Sequence, residues 1–192
     1  MQKIVADRLG QTVAVLSAVA ADTKLHGVLV EAANKTAESL RSGHKLLVAG
    51  NGGSAADAQH VVAEFVSRLV EDRPAMRAIA LTTDSSILTG IGNDYGYERV
   101  FARQIEALGQ PDDVFLAIST SGNSPNIISA LELARSIGMA TIGLTGEHGG
   151  KMRELCDYCL RMPSTTTMNI QEAHLSLEHI FCLLVERIYF SR

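Results

Sequence analysis

Asp113-Val-Phe-Leu-Ala-Ile-Ser-Thr-Ser-Gly-Asn-Ser-Pro125 is the stretch that decides the fold. Val114 to Ile118 is an unbroken apolar run, too short for a helix and without alternation, as in a strand buried on both faces. Six small polar residues follow. Pro125 then opens a helix over 125–137, because its missing N–H and fixed φ suit a first helical turn.

Upstream the same order recurs. Lys45-Leu-Leu-Val-Ala-Gly50 reads as a strand, Gly50-Asn51-Gly52-Gly53-Ser54 as a glycine-rich turn, and 55–70 as a helix. Further strands are predicted at 78–81, 139–144 and 158–162. Further helices are predicted at 85–108 (broken near Gly92-Asn93-Asp94), at 149–155 and at 168–190. Residues 2–42 read as two amphipathic helices. Val5, Leu9, Val13 and Leu16 recur at helical spacing, as do Leu29, Ala33, Ala37 and Leu40. Asp22-Thr23 divides the pair and Gly43 closes it. Strand and helix alternate through the centre of the chain. That predicts an α/β fold: a doubly wound, five-stranded parallel sheet of flavodoxin-like type, with an N-terminal helix pair and a long C-terminal helix. A chain of 192 residues suits one domain, 1–192, in which 1–42 are oligomerisation helices and 43–192 the α/β core. A partner subunit is the simplest cover for the apolar face of the helix pair.

Bulk properties narrow the function. The net charge of −4 lacks the basic surplus that supplies a nucleic-acid binder's affinity, so no nucleic-acid partner is expected. Three cysteines, Cys156, Cys159 and Cys182, are an odd number for a disulfide framework, and one C-x-x-C without a second leaves a metal site two ligands short. Structural burial in a reducing cytoplasm is the expectation. Lys3, Asp7 and Arg8 interrupt the apolar N-terminus, unlike a signal peptide, and no unbroken stretch of 18 apolar residues occurs, so no membrane span is expected.

The two glycine- and serine-rich junctions lie where ligands bind in parallel sheets, beyond the C-terminal ends of strands. Asn51, Gly52, Gly53 and Ser54 form one, and Ser119, Thr120, Ser121 and Ser124 contribute to the other. Glycines admit an anion close to the backbone, free N–H groups and helix dipoles favour it, and hydroxyls add donors. An ordinary tight turn is the competing reading of the glycines, but six small polar residues in a row exceed what a turn needs. The pattern G-x-x-x-x-G-K-[ST] is absent, and Gly50-Asn51-Gly52-Gly53-Ser54-Ala55 lacks the third glycine of G-x-G-x-x-G. Nucleotide hydrolysis and dinucleotide binding are therefore disfavoured.

His60 and Glu64 are four residues apart on one predicted helix, hence on one face. At roughly 100° per residue Gln171 and His179 differ by roughly 80° in azimuth and can face one site, whereas His174 lies roughly 140° from His179. Two imidazoles, a carboxylate and an amide oxygen would suit zinc or a similar divalent ion. Structural histidines would produce the same spacing.

The S-T-S-G-N-S run resembles the signature of sugar isomerase (SIS) domains, in which this loop grips the phosphate of a phosphosugar. Gly50 to His60, GNGGSAADAQH, resembles the phosphoheptose isomerase branch, as do Ile91-Gly-Asn-Asp-Tyr-Gly96, Thr145-Gly-x-x-Gly-Gly-Lys151 and Ile170-Gln-Glu-x-His174. The resemblance implies the conversion of sedoheptulose 7-phosphate to D-glycero-D-manno-heptose 7-phosphate through an enediol, as a step toward lipopolysaccharide or related glycans. It implies zinc on His60, Glu64, Gln171 and His179, with Glu64 as base and His179 as complementary acid. It places Glu64, Arg68, Asn93, Asp94 and Gln171 in the sugar pocket, and it implies a homotetramer with sites at subunit interfaces. One position departs: Asn169 stands where relatives carry an arginine before the I-Q-E motif. Some proteins of this fold instead dock on the replication initiator without catalysis. Retention of Glu64, His179 and both loops favours the enzyme.

Overall fold

The computed structural model describes residues 1–191. Five strands, β1 (Leu46–Gly50), β2 (Ala78–Ala80), β3 (Val114–Ile118), β4 (Ala140–Thr145) and β5 (Tyr158–Arg161), form one sheet in the order β2-β1-β3-β4-β5. All four pairings are parallel, with Val48 opposite both Ala80 and Leu116. The doubly wound expectation therefore holds.

Every residue of β1 and β3 is buried, because each sheet face carries its own core. Leu46, Val48, Leu116 and Ile118 pack under α2 (Thr23–Arg41), α3 (Gly53–Val66) and α8 (Thr167–Phe190). Their neighbours Leu47, Ala49, Phe115 and Ala117 pack under α5 (Ala102–Leu108) and α6 (Pro125–Ser136). The remaining helices are α1 (Gln2–Ala21), α4 (Ser85–Tyr95) and the short α7 (Met152–Leu155). Between β1 and β3 the winding reverses: α3 leaves toward one face and α6 toward the other, opening the crevice where such folds bind ligands.

Local chemistry sets the helix ends. The Asp22 carboxylate accepts from Lys24 N and Leu25 N, capping α2, and Gly43 ends that helix at φ +91°. Asp84 caps α4 by accepting from Ile87 N. The break predicted at Gly92-Asn93-Asp94 is corrected: α4 runs through those residues and stops at Gly96, whose φ of +86° continues no helix. The predicted 55–70 helix ends earlier, at Val66. The Arg73 guanidinium turns the following loop back by donating to Glu64 O at 2.6 Å and Phe65 O at 2.7 Å, while Met76 N donates to Phe65 O. These donors satisfy carbonyls that a longer helix would have used itself.

The N-terminal helix also differs from expectation. By length and composition the whole helix Gln2–Ala21 is long and apolar enough to cross a membrane, its charges Lys3, Asp7 and Arg8 all lying near its start. Val19 is its one buried residue, while Ile4, Val5, Leu9 and Val13 are exposed. Thr12 ties it to α8, donating to Glu172 at 2.7 Å and accepting from Asn169 Nδ2 at 3.1 Å. Asn169, the residue in the arginine position, is thus a buried bridge between α1 and α8.

Cys182 is buried, but Cys156 and Cys159 are only half-buried. Burial pushes all three thiols up, which favours the protonated form at neutral pH.

Candidate active site

The loop after β3 is held by its own hydroxyls. Ser119 Oγ lies 2.9 Å from Ser124 Oγ and 3.4 Å from Ser121 Oγ, and Asn123 N donates to Ser121 Oγ. Gly122 sits at φ +65°, and a Cβ there would run into the Gly149 carbonyl, so only glycine lets the two loops approach this closely. Ser119 is buried, Thr120 and Ser124 are half-buried, and Ser121 is exposed. The result is a ring of hydroxyls at the start of α6, fit to receive an anion.

Across the crevice, Gly52 precedes α3 at φ +57°, and Ser54 is buried in the first turn. Gly53 lacks a Cβ where the Gln171 amide packs against it. The loop thereby reaches α8, at a residue distant in sequence.

Deeper in the same region, His60 and Glu64 of α3 meet His179 of α8. Their ligand atoms all lie within 4.8 Å of one another. His60 Nε2 is 2.8 Å from His179 Nε2 and 3.7 Å from Glu64 Oε1. Two imidazole nitrogens and a carboxylate oxygen converging in a half-buried site fit a borderline divalent cation. Gln171, also on α8, donates through Nε2 to Asp57 Oδ2 at 3.0 Å. Asp57 is raised by burial, opposed by that hydrogen bond and by the nearby His60.

His174 faces elsewhere, as its azimuth requires. It is fully buried and donates from Nε2 to the Thr145 carbonyl at 3.2 Å, which leaves Nδ1 without a proton or a partner. Burial lowers it to about 4. Glu178 is also buried, with neither carboxylate oxygen hydrogen-bonded, and burial together with the Asp57 charge raises it to about 8.

Three sequence candidates lie at the edge. Asn93 and Asp94 are exposed near the end of α4, bonded to each other at 2.7 Å. Arg68 lies four residues past Glu64 but does not share the His60–Glu64 face, because it falls beyond the end of α3, exposed in the loop that Arg73 folds back. Four further residues emerge in three dimensions: Asp57, Arg73, Tyr97 and Asn126. Of these, Asp57 alone had a sequence signal, lying one helical turn before His60 on the same helix.

A family model for the SIS domain matches residues 10–146. A phosphoheptose isomerase from Aneurinibacillus thermoaerophilus is 51% identical over 190 residues, covering 99% of this chain and 96% of that one. One from Burkholderia pseudomallei is 54% identical over 178 residues, 93% of this chain and 90% of the relative. The chain belongs to the phosphoheptose isomerase family. Solved structures of phosphoheptose isomerases agree. That from Neisseria gonorrhoeae superposes with a TM-score of 0.88 at 41% identity, covering 96% of this chain and 98% of that one. That from Francisella tularensis reaches 0.91 at 35% identity, covering 97% and 98%. An isomerase of this family is an enzyme, which decides against the non-catalytic, initiator-docking alternative.

Proposed function

We propose that the chain converts sedoheptulose 7-phosphate to D-glycero-D-manno-heptose 7-phosphate by proton transfer through an enediol. The observation that carries this reading is the convergence of His60, Glu64 and His179 beside the crevice that the two phosphate-type loops open. Ser119, Thr120, Ser121 and Ser124, with Asn51, Gly52, Gly53 and Ser54, hold the phosphate end. The reacting carbons then lie toward α3 and α8.

The Glu64 carboxylate takes the proton from the carbon beside the carbonyl and returns it to the neighbouring carbon. His179 exchanges the proton between the two oxygens. His60, Glu64, His179 and Gln171 would hold a zinc ion, which when bound supplies a positive charge that polarises the carbonyl, and Glu64 and His179 would alternate between holding it and moving protons. Asp57 orients the Gln171 amide. Arg68, Asn93 and Asp94 contact the sugar once substrate is bound.

The reading includes a cytoplasmic homotetramer with sites at subunit interfaces, making heptose for surface glycans. The exposed apolar stripe Ile4, Val5, Leu9 and Val13 on α1 supports assembly, since a stripe of that kind is costly to leave in water. Incubation with sedoheptulose 7-phosphate and detection of aldoheptose 7-phosphate tests the proposal. Lack of product from a folded, zinc-supplemented oligomer would refute it.

A further inference from the structure

Asn51 and Asn126 face each other across the crevice and exchange two hydrogen bonds. Asn51 Nδ2 donates to Asn126 Oδ1 at 2.9 Å, and Asn126 Nδ2 donates to Asn51 Oδ1 at 2.8 Å. The orientation is fixed from both ends. Ile127 N donates to Asn126 Oδ1 at 3.0 Å, and the Tyr97 hydroxyl donates to Asn51 Oδ1 at 3.4 Å. Flipping either amide would set nitrogen against nitrogen and oxygen against oxygen.

The pair joins the loop after β1 to the first turn of α6, at the point where the sheet winding reverses. It forms part of the wall of a cleft of about 440 Å³, together with Tyr97, Glu98, Ser124 and Pro125. Asn126 is only 3% exposed, so its amide is not a solvated surface group. Each amide nitrogen carries two hydrogens and uses one in the pair. The second N–H of each amide is free for a further acceptor, and Ser124, a member of the hydroxyl ring, lines the same cleft.

The geometry points to Asn126 as a further substrate-site residue: it locks the Asn51 amide in place across the crevice and, with Asn51, offers a pair of N–H donors to the phosphate end of the ligand. This rests on the phosphosugar reading above. A purely structural Asn126 would serve only as a link between α6 and the Gly50–Ser54 turn.

Replacement by alanine and by aspartate separates the two roles. Asn126→Asp keeps the acceptor for Ile127 N and suits a helix N-terminus, but it loses the donor and sets a negative charge beside the phosphate. The substrate-site role predicts that KM for sedoheptulose 7-phosphate rises about fivefold in Asn126→Ala and further in Asn126→Asp. It also predicts weaker inorganic phosphate binding in the same order, with unchanged metal content. Asn51→Ala and the double variant should show non-additive losses, because either substitution alone breaks the pair. Wild-type KM in a folded Asn126→Asp, or strictly additive losses, would overturn the inference. Wild-type turnover in the same assay keeps that failure distinct from a failure of the phosphosugar reading.

Discussion

His60 on α3 and His179 on α8 hold their Nε2 atoms 2.8 Å apart, with the rings edge to face at 90°. Two unprotonated nitrogens at that distance would repel, so the pair needs a proton or a cation between its lone pairs. Glu64 completes the set. His60→Gln is expected to lose bound metal and to lower turnover about 100-fold or more, with the fold retained. Metal analysis alongside kinetics checks this. Full metal occupancy in the variant would remove His60 from the ligand set.

Ser119→Ala combined with Ser124→Ala removes two of the hydroxyls that meet at 2.9 Å. At about 1 kcal/mol for each neutral hydrogen bond, KM for the phosphosugar should rise about fivefold to 25-fold. An unchanged KM would move the phosphate elsewhere.

Arg73 is a stability residue placed next to the chemistry. Its guanidinium meets Glu186 at 2.8 Å, with both side chains almost fully buried, while it caps the carbonyls of Glu64 and Phe65. Arg73→Met leaves a buried carboxylate unpaired and should cost about 3–5 kcal/mol, read as a lowered denaturation midpoint. Arg73→Lys should recover part of that loss. A variant as stable as wild type would show that the loop holds without it.

The buried His174 gives stability a pH dependence. Its folded value of about 4 lies below the unfolded 6.5, so between those pH values the unfolded chain binds the extra proton. Its contribution is complete above pH 6.5 and is lost as pH falls toward 4. Denaturant titrations of His174→Gln over that window should slope less than wild type. Equal slopes would mean that His174 titrates normally.

The sheet was legible because strands buried on both faces read as short apolar runs, and both ligand loops were legible because glycine and hydroxyl residues punctuate them. Helix ends decided by distant partners were not. Leu69 and Val70 extend the apolar pattern beyond Val66, so nothing local marks the stop that Arg73 imposes. Gly92 is tolerated inside α4, while Gly96 ends it through its positive φ. Spacing put His60 and Glu64 on one face, but that His179 of a distant helix meets them was implied by the resemblance and not by any periodicity. The Asn51–Asn126 pair and the Asp57–Gln171 bond join residues 75 and 114 positions apart, and no periodicity reports such contacts.

The most direct test of the central claim is solvent exchange during turnover. Metal-loaded wild type and Glu64→Gln would be incubated with sedoheptulose 7-phosphate in deuterated water, and deuterium at the reacting carbons followed by NMR. The account predicts deuterium in product and in recovered substrate from wild type, because a proton held on Glu64 exchanges with solvent, and none above background from a folded, metal-loaded Glu64→Gln. Wild-type rates of incorporation in the variant would contradict the assignment of Glu64 as the base.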